Sequence, residues 1–178
     1  DDKYIFYSKL DENHRPRKIF RHKIGGEVKN DELVFEEKSE AFTVGINLSS
    51  DEKYYFIVSS DHNTSEQYYF DVNEITPIPK LIQKRKKGIL YSVNSWDGKF
   101  YNHTNEEAED FKVDVSKNIQ KPKWESYIPA KDEVLIGGCT FLKNWMIRSE
   151  TSNALNKLFV RKIGSEIEDE LVFSDEKV

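Results

Sequence analysis

The four histidines, His14, His22, His62 and His103, and the single cysteine, Cys139, are the first residues to weigh for chemistry. A zinc centre takes Cys and His in closely spaced pairs, and no two of these five residues stand that way. A serine nucleophile on a strand-to-helix elbow needs Gly-x-Ser-x-Gly and a base to take its proton, and the chain has no such pentapeptide. Gly25-Gly26 and Gly137-Gly138 lie outside any phosphate-cradling Gly-x-x-x-x-Gly-Lys pattern. No catalytic residue, cofactor or metal is therefore assigned. The run Lys84-Arg85-Lys86-Lys87 has the charge to meet phosphate. A net charge of −5 and the absence of interleaved aromatics argue against a nucleic-acid partner.

The remaining candidates sit in polar stretches. These read Asp11-Glu12-Asn13-His14-Arg15-Pro16, Asp61-His62-Asn63-Thr64-Ser65-Glu66, Thr104-Asn105-Glu106-Glu107-Ala108-Glu109 and Glu150-Thr151-Ser152-Asn153-Ala154. Polar loops gathered on one face make a binding or docking surface, and Asp11, Glu12, His14, Arg15, Asp61, His62 and Glu66 are its candidate residues. The competing reading is that all four stretches are ordinary solvated turns.

The elements that position them follow from an internal echo. Ile19-Phe20-Arg21-His22-Lys23-Ile24-Gly25 with Asp31-Glu32-Leu33-Val34-Phe35 returns as Leu158-Phe159-Val160-Arg161-Lys162-Ile163-Gly164 with Asp169-Glu170-Leu171-Val172-Phe173. Between the copies lie Gln67-Tyr68-Tyr69-Phe70-Asp71-Val72 and Asp110-Phe111-Lys112-Val113-Asp114-Val115, each alternating like a half-buried strand. The steps from Phe20 to Tyr69, Lys112 and Phe159 are 49, 43 and 47 residues. A period in the forties made only of strands is that of a β-propeller blade.

Each blade then holds four antiparallel strands, A to D from the centre outward. The spacing predicts A, B, C and D over 42–48, 53–59, 66–72 and 79–84, over 89–95, 99–103, 110–115 and 124–128, and over 134–141, 145–149, 157–163 and 170–174. The first unit supplies B, C and D over 4–10, 17–24 and 32–36 and lacks an A strand. Asp97-Gly98 is a two-residue hairpin signal. The fold class is thus an all-β propeller fragment of about four blades. It is read as one partial domain over 1–178, with units near 1–40, 41–86, 87–131 and 132–178 and no catalytic domain.

Strand direction alternates across a blade, so B–C loops and D–A links share one face while A–B and C–D turns share the other. The 33% of charged residues are expected mainly on outer strands and loops. No run approaches the roughly 18 apolar residues of a membrane span, so no membrane partner is expected. One cysteine allows no internal disulfide, which points to a reducing, cytoplasmic setting. An open arc of blades leaves apolar end faces and an unpaired edge on the first B strand, so the isolated chain is expected to self-associate or borrow a strand.

Leu10-Asp11-Glu12-Asn13-His14-Arg15-Pro16, Arg21-His22, Asp31 to Lys38 and Ser59 to Glu66 together resemble the oligopeptidase B (protease II) group of the prolyl oligopeptidase family of serine peptidases. Tyr91-Ser92-Val93 and Thr104-Asn105 through Phe111-Lys112 are similar in order and spacing, so the resemblance covers nearly the whole chain. It implies a seven-bladed propeller capping an α/β-hydrolase domain that cleaves short peptides after Arg or Lys. The propeller would exclude folded proteins, and hinge motion would admit substrate. The triad and basic-residue pocket belong to the hydrolase domain, so none of those residues is carried over to this sequence. The implied partners are that domain and short basic peptides, and this chain by itself is expected to be inactive. The chain is then a cut piece of a longer protein or a gene remnant without activity. A protein-binding scaffold propeller is the alternative, although no C strand ends in Trp-Asp and the double glycines do not recur in each blade.

Overall fold

The computed structural model describes residues 3–172. Fifteen strands form four antiparallel sheets, joined by turns and one short 3-10 segment, Val28–Asn30. The first sheet holds β1 (Tyr4–Leu10), β2 (Pro16–Lys23) and β3 (Glu32–Glu36). The second holds β4 (Thr43–Leu48), β5 (Tyr54–Ser60), β6 (Ser65–Asp71) and β7 (Lys80–Gln83). The third holds β8 (Tyr91–Trp96), β9 (Lys99–Thr104), β10 (Lys112–Ser116) and β11 (Glu125–Ile128). The fourth holds β12 (Leu135–Phe141), β13 (Trp145–Ser152), β14 (Leu155–Lys162) and β15 (Glu168–Glu170). In every sheet spatial order follows chain order, the meander expected of propeller blades. The described residues contain no helix long and apolar enough to cross a membrane.

Local chemistry explains the turns. Asp97 and Gly98 both take positive φ, 50° and 68°, as the two-residue turn between β8 and β9 requires. Ser49 Oγ accepts the backbone N–H groups of Lys53 and Tyr54 and closes the turn from β4 to β5. Gly137 sits at an irregularity of β12 against β13, where a Cβ would stand 2.0 Å from Ser149 Oγ. Glycine is required there for close approach of two strands.

Three apolar clusters fill the three spaces between successive sheets. Ile19, Val44, Ile57 and Phe70 lie between the first and second. Phe56, Tyr69, Ile82, Tyr91, Val93 and Phe100 lie between the second and third. Trp96, Tyr101, Val113, Ile136, Phe141 and Met146 lie between the third and fourth. The inner sheets are therefore buried on both faces. Adjacent residues of one strand serve different cores: Phe56 and Ile57 in β5, Tyr69 and Phe70 in β6. The expected half-buried alternation holds for the periodicity, but in these strands both faces are covered. Large apolar side chains stay open on the end sheets, with Leu33 51% exposed in the first and Trp145 42% in the fourth, and at Leu48 and Leu81 in the edge strands of the second.

The inner strand β8 pairs with β9 on one side, and its other edge meets side chains of the preceding sheet. Ser65 Oγ donates to Tyr91 O at 2.8 Å and accepts from Tyr91 N at 2.7 Å. The Gln67 amide donates to Val93 O at 3.0 Å and accepts from Val93 N at 2.6 Å. A side-chain amide thus stands in for a neighbouring strand on an edge that would otherwise bury unpaired groups.

Two expectations shift. The fourth B–C stretch is mostly strand, since β13 runs to Ser152 and only Asn153 and Ala154 turn, with φ of 51° and 62°. Two consecutive left-handed residues make a hairpin tight enough to keep Glu150, Thr151 and Ser152 in the ladder. The fourth D strand is found two residues early, at Glu168–Glu170; Phe173 and Ser174 lie outside the described residues. Replacing Gln67 with Met keeps the volume but orphans both Val93 groups. It should cost roughly 2–4 kcal/mol, read as a lowered urea midpoint with an unchanged slope.

Candidate functional site

The face formed by the B–C loops and D–A links is where charged side chains converge. Its first loop is organised by Asp11, whose Oδ1 accepts the backbone N–H groups of Asn13 and Arg15 at 2.9 and 3.0 Å. Its Oδ2 accepts Arg17 Nε at 2.8 Å. The Arg15 N–H, with those of Asn13 and the Arg17 guanidinium, holds the Asp11 carboxyl below the usual carboxylate range against the opposing effect of burial. His14 takes a left-handed φ of 58° in this turn, and Arg15 Nη2 donates to Ala41 O in the link to the next sheet. Glu12 and His14 are exposed.

The second loop repeats the device. Asp61 Oδ1 accepts the N–H groups of Asn63 and Thr64 at 2.9 and 2.7 Å, and Thr64 Oγ1 accepts Gly88 N at 3.1 Å. In both loops an Asp-x-Asn sequence ties its carboxylate to backbone two residues on, an Asx turn. His62 is exposed at the tip. In the third loop, Asn105 Oδ1 accepts Leu90 N at 2.7 Å and Glu106 accepts Gln83 Nε2 at 2.9 Å and pairs with Lys86. Glu107 and Glu109 remain exposed.

Glu66 departs from the sequence expectation. It belongs to β6, is 5% exposed, and its carboxylate faces Arg85. Arg85 donates to Glu66 Oε2 through Nε at 2.9 Å and Nη2 at 2.7 Å, and its backbone N–H reaches Glu66 Oε1 at 3.0 Å. The same Nη2 donates to Glu37 Oε2 at 2.6 Å, and the guanidinium lies 4.1 Å from the Phe42 ring centroid. Glu37 also accepts Ser59 Oγ at 2.5 Å and Ser39 N at 2.8 Å. Burial pushes the Glu37 carboxyl up, but those donors and Arg85 outweigh it and leave Glu37 below the ordinary glutamate range.

A second cluster closes the fourth sheet. Arg148, 4% exposed, donates to Glu150 Oε1 at 2.5 Å and to Glu168 Oε2 at 2.6 Å. Arg161 reaches the other oxygen of Glu168 at 2.9 Å, and Lys131 pairs with Glu150. Burial opposes ionisation of Glu150 and Glu168, yet the facing cations keep both carboxyls below the ordinary range. Most charged residues are exposed or half-buried, as expected, with six exceptions among the described residues. Arg21, Glu37, Glu66, Asp114, Arg148 and Glu150 are buried, and each meets an oppositely charged partner.

Of the seven candidates, Asp11 and Asp61 hold their own turns, Arg15 holds a link and Glu66 holds Arg85. Glu12, His14 and His62 are free to meet solvent or a partner. Sequence reasoning missed the roles of Glu37 and Arg85, the latter read only as part of a basic run. The available signal was position, since Glu37, Arg85 and Lys131 each fall in a D–A link between predicted strands. Elsewhere His103 Nε2 donates to Ile136 O at 2.8 Å, and burial pushes that imidazole below its usual range. Burial also pushes the Cys139 thiol up to about 12. Among the described residues no group of three or more His, Cys, Asp or Glu could hold a metal.

Replacing Arg85 with Met leaves two buried carboxylates without their cation and should destabilise the chain by roughly 3 kcal/mol. The acid response follows from the depressed Glu37, Glu150 and Glu168. Their stabilisation is present above the unfolded glutamate value and lost as pH falls through the lower folded values. Thermal melts should therefore show the wild type losing stability below about pH 4.5, with a shallower loss in Arg85→Met.

The family model for the prolyl oligopeptidase N-terminal β-propeller domain matches residues 1–176. Protease 2 of Moraxella lacunata is 36% identical over 147 residues, covering 76% of this chain and 21% of that protein. Dipeptidyl aminopeptidase BI of Pseudoxanthomonas mexicana is 23% identical over 166 residues, covering 91% of this chain and 23% of the relative. Oligopeptidase B from Trypanosoma brucei, in a closed form with covalently bound antipain, superposes with a TM-score of 0.91 at 24% identity, over 99% of this chain and 26% of that one. Oligopeptidase B from Leishmania major gives 0.89 at 19% identity, again over 99% of this chain and 26% of that one. The chain spans only about a fifth to a quarter of these proteins. With four propeller sheets in meander order and a family match over almost every residue, the chain belongs to the prolyl oligopeptidase family, in its N-terminal β-propeller domain.

Proposed function

We propose that this chain is propeller from a serine oligopeptidase that cleaves short peptides after arginine or lysine, and that in the whole enzyme it restricts access to an α/β-hydrolase domain. The observation that carries this reading is the 36% identity to Protease 2, set on a family match over residues 1–176. The topology supports a place for the second domain. A propeller entered at an A strand and left at a D strand has both connections on the B–C loop face, so a covalently attached domain sits over Asp11–Pro16 and Asp61–Thr64. The single cysteine, Cys139, half-buried and without a disulfide partner, supports a reducing, cytoplasmic setting.

On that face the exposed acids Glu12, Glu107 and Glu109 of the loops, with Glu40, Asp132 and Glu133 of the links, are the groups with a field to offer a basic peptide. Asp11, Asp61 and Glu66 spend theirs on the protein itself.

The test is peptidase activity of the full-length protein on a dibasic fluorogenic peptide. Cleavage after Arg or Lys by the whole enzyme, with none by residues 1–178 alone, is expected. Cleavage confined to other residues would overturn the specificity. In that enzyme Glu12→Gln/Glu107→Gln/Glu109→Gln should lower kcat/KM for the dibasic peptide about two- to fivefold at low salt, the difference vanishing at high salt. An unchanged kcat/KM with unchanged salt dependence would remove the steering role.

A further inference from the structure

On the opposite face, formed by A–B and C–D turns, four lysines gather at one point. Lys99, Lys117, Lys121 and Lys123 line an open groove of about 480 Å³ at the end of the third sheet, together with Val115, Ser116, Asn118 and a single carboxylate, Glu125. None of the four lysines has an ion-pair partner among the described residues. Lys112 of the same sheet, by contrast, pairs with Asp114. In a chain of net charge −5, unpaired cations gathered around one depression are a local reversal of the protein's field.

The loop that presents them is fixed. Ser116 Oγ accepts the N–H groups of Asn118 and Lys123 at 3.3 and 3.2 Å, and Asn118 Oδ1 accepts those of Gln120 and Lys121 at 2.8 and 3.2 Å. Ile119, 5% exposed, anchors the loop in the core between the second and third sheets. Loop ordering is therefore not left to be supplied by a partner, which lowers the entropy cost of docking.

We propose that this groove docks an acidic stretch of another polypeptide, held by the four ammonium groups. The lining favours a peptide over a phosphate-bearing partner. No arginine supplies the bidentate fork that recognises phosphate, and no aromatic in the groove offers a platform for a base. The lysine stems and Val115 give an apolar floor under the charged heads, as an extended peptide backbone with carboxylate side chains needs. The groove lies on the face away from the B–C loops and so stays open when a second domain covers that side.

The experiment uses the full chain and a fluorescein-labelled peptide of about ten residues alternating Glu and Ser, followed by anisotropy at low and moderate salt. Saturable binding is expected, weakened about tenfold in Lys117→Glu/Lys121→Glu/Lys123→Glu. Lys23→Glu/Lys84→Glu/Lys143→Glu, which changes net charge equally at exposed lysines elsewhere, should leave affinity unchanged. Equal weakening by both variants would mean diffuse attraction and would overturn the site, as would no saturable binding by the wild type. Tighter binding of a labelled oligothymidylate at the same salt would overturn the assignment to an acidic peptide. If the reversal variant melts early, Lys117→Gln/Lys121→Gln/Lys123→Gln carries the same comparison.

Discussion

The structure depends on one constraint: a sheet between two others must be dry on both faces and still satisfy its own edge. Tyr69 and Phe70 show the first half of it, since neighbours in one strand enter different cores. Gln67 shows the second half. Its amide occupies the place of a strand against Val93, so the inner edge of the third sheet is paired without another backbone. Burial supplies attraction of roughly 25 cal/mol per Å² between sheets but does not fix their register. Directional hydrogen bonds from one sheet to the backbone of the next do that.

The ionic clusters extend this logic to the loop face. Arg85 touches Glu66 in its own sheet and Glu37 in the preceding link, so a single guanidinium spans two blades. Arg148, Glu150, Glu168 and Arg161 instead tie together strands within the fourth sheet. Such clusters contribute little net stability compared with apolar packing, because desolvation offsets most of the attraction. Removing one member is costly all the same, since the remaining charge stays buried. These residues are best understood as fasteners that set how blades meet, which in turn sets the outline of the surface a partner domain would see.

Fastening and function draw on the same residue types, and the structure separates them. Carboxylates of Asp11 and Asp61 are consumed by Asx turns, while Glu12, Glu107 and Glu109 keep their charge for solvent. On the other side, Lys99, Lys117, Lys121 and Lys123 gather around one groove without an ion-pair partner. The field at that groove therefore opposes the modest net negative charge of the chain.

Much of the fold was legible in the sequence. The forty-odd-residue echo and the period-two alternation gave β1 and β3 to the residue and the inner strands within one or two, because strand pattern and turn chemistry are local. The fourth B–C hairpin was not legible, since nothing about Asn153-Ala154 announces two left-handed residues. The candidate loops were found, but which of their charges are free was not. Glu66 and Glu12 look alike in one dimension, and Arg85 looks like its neighbours Lys84 and Lys87. By itself the sequence determined where strands and turns fall and how often the blade repeats. Only the tertiary structure decided which charges are spent, because pairing such as Glu37 to Arg85 across 48 residues depends on how sheets stack, and that distance leaves no periodic trace in the chain.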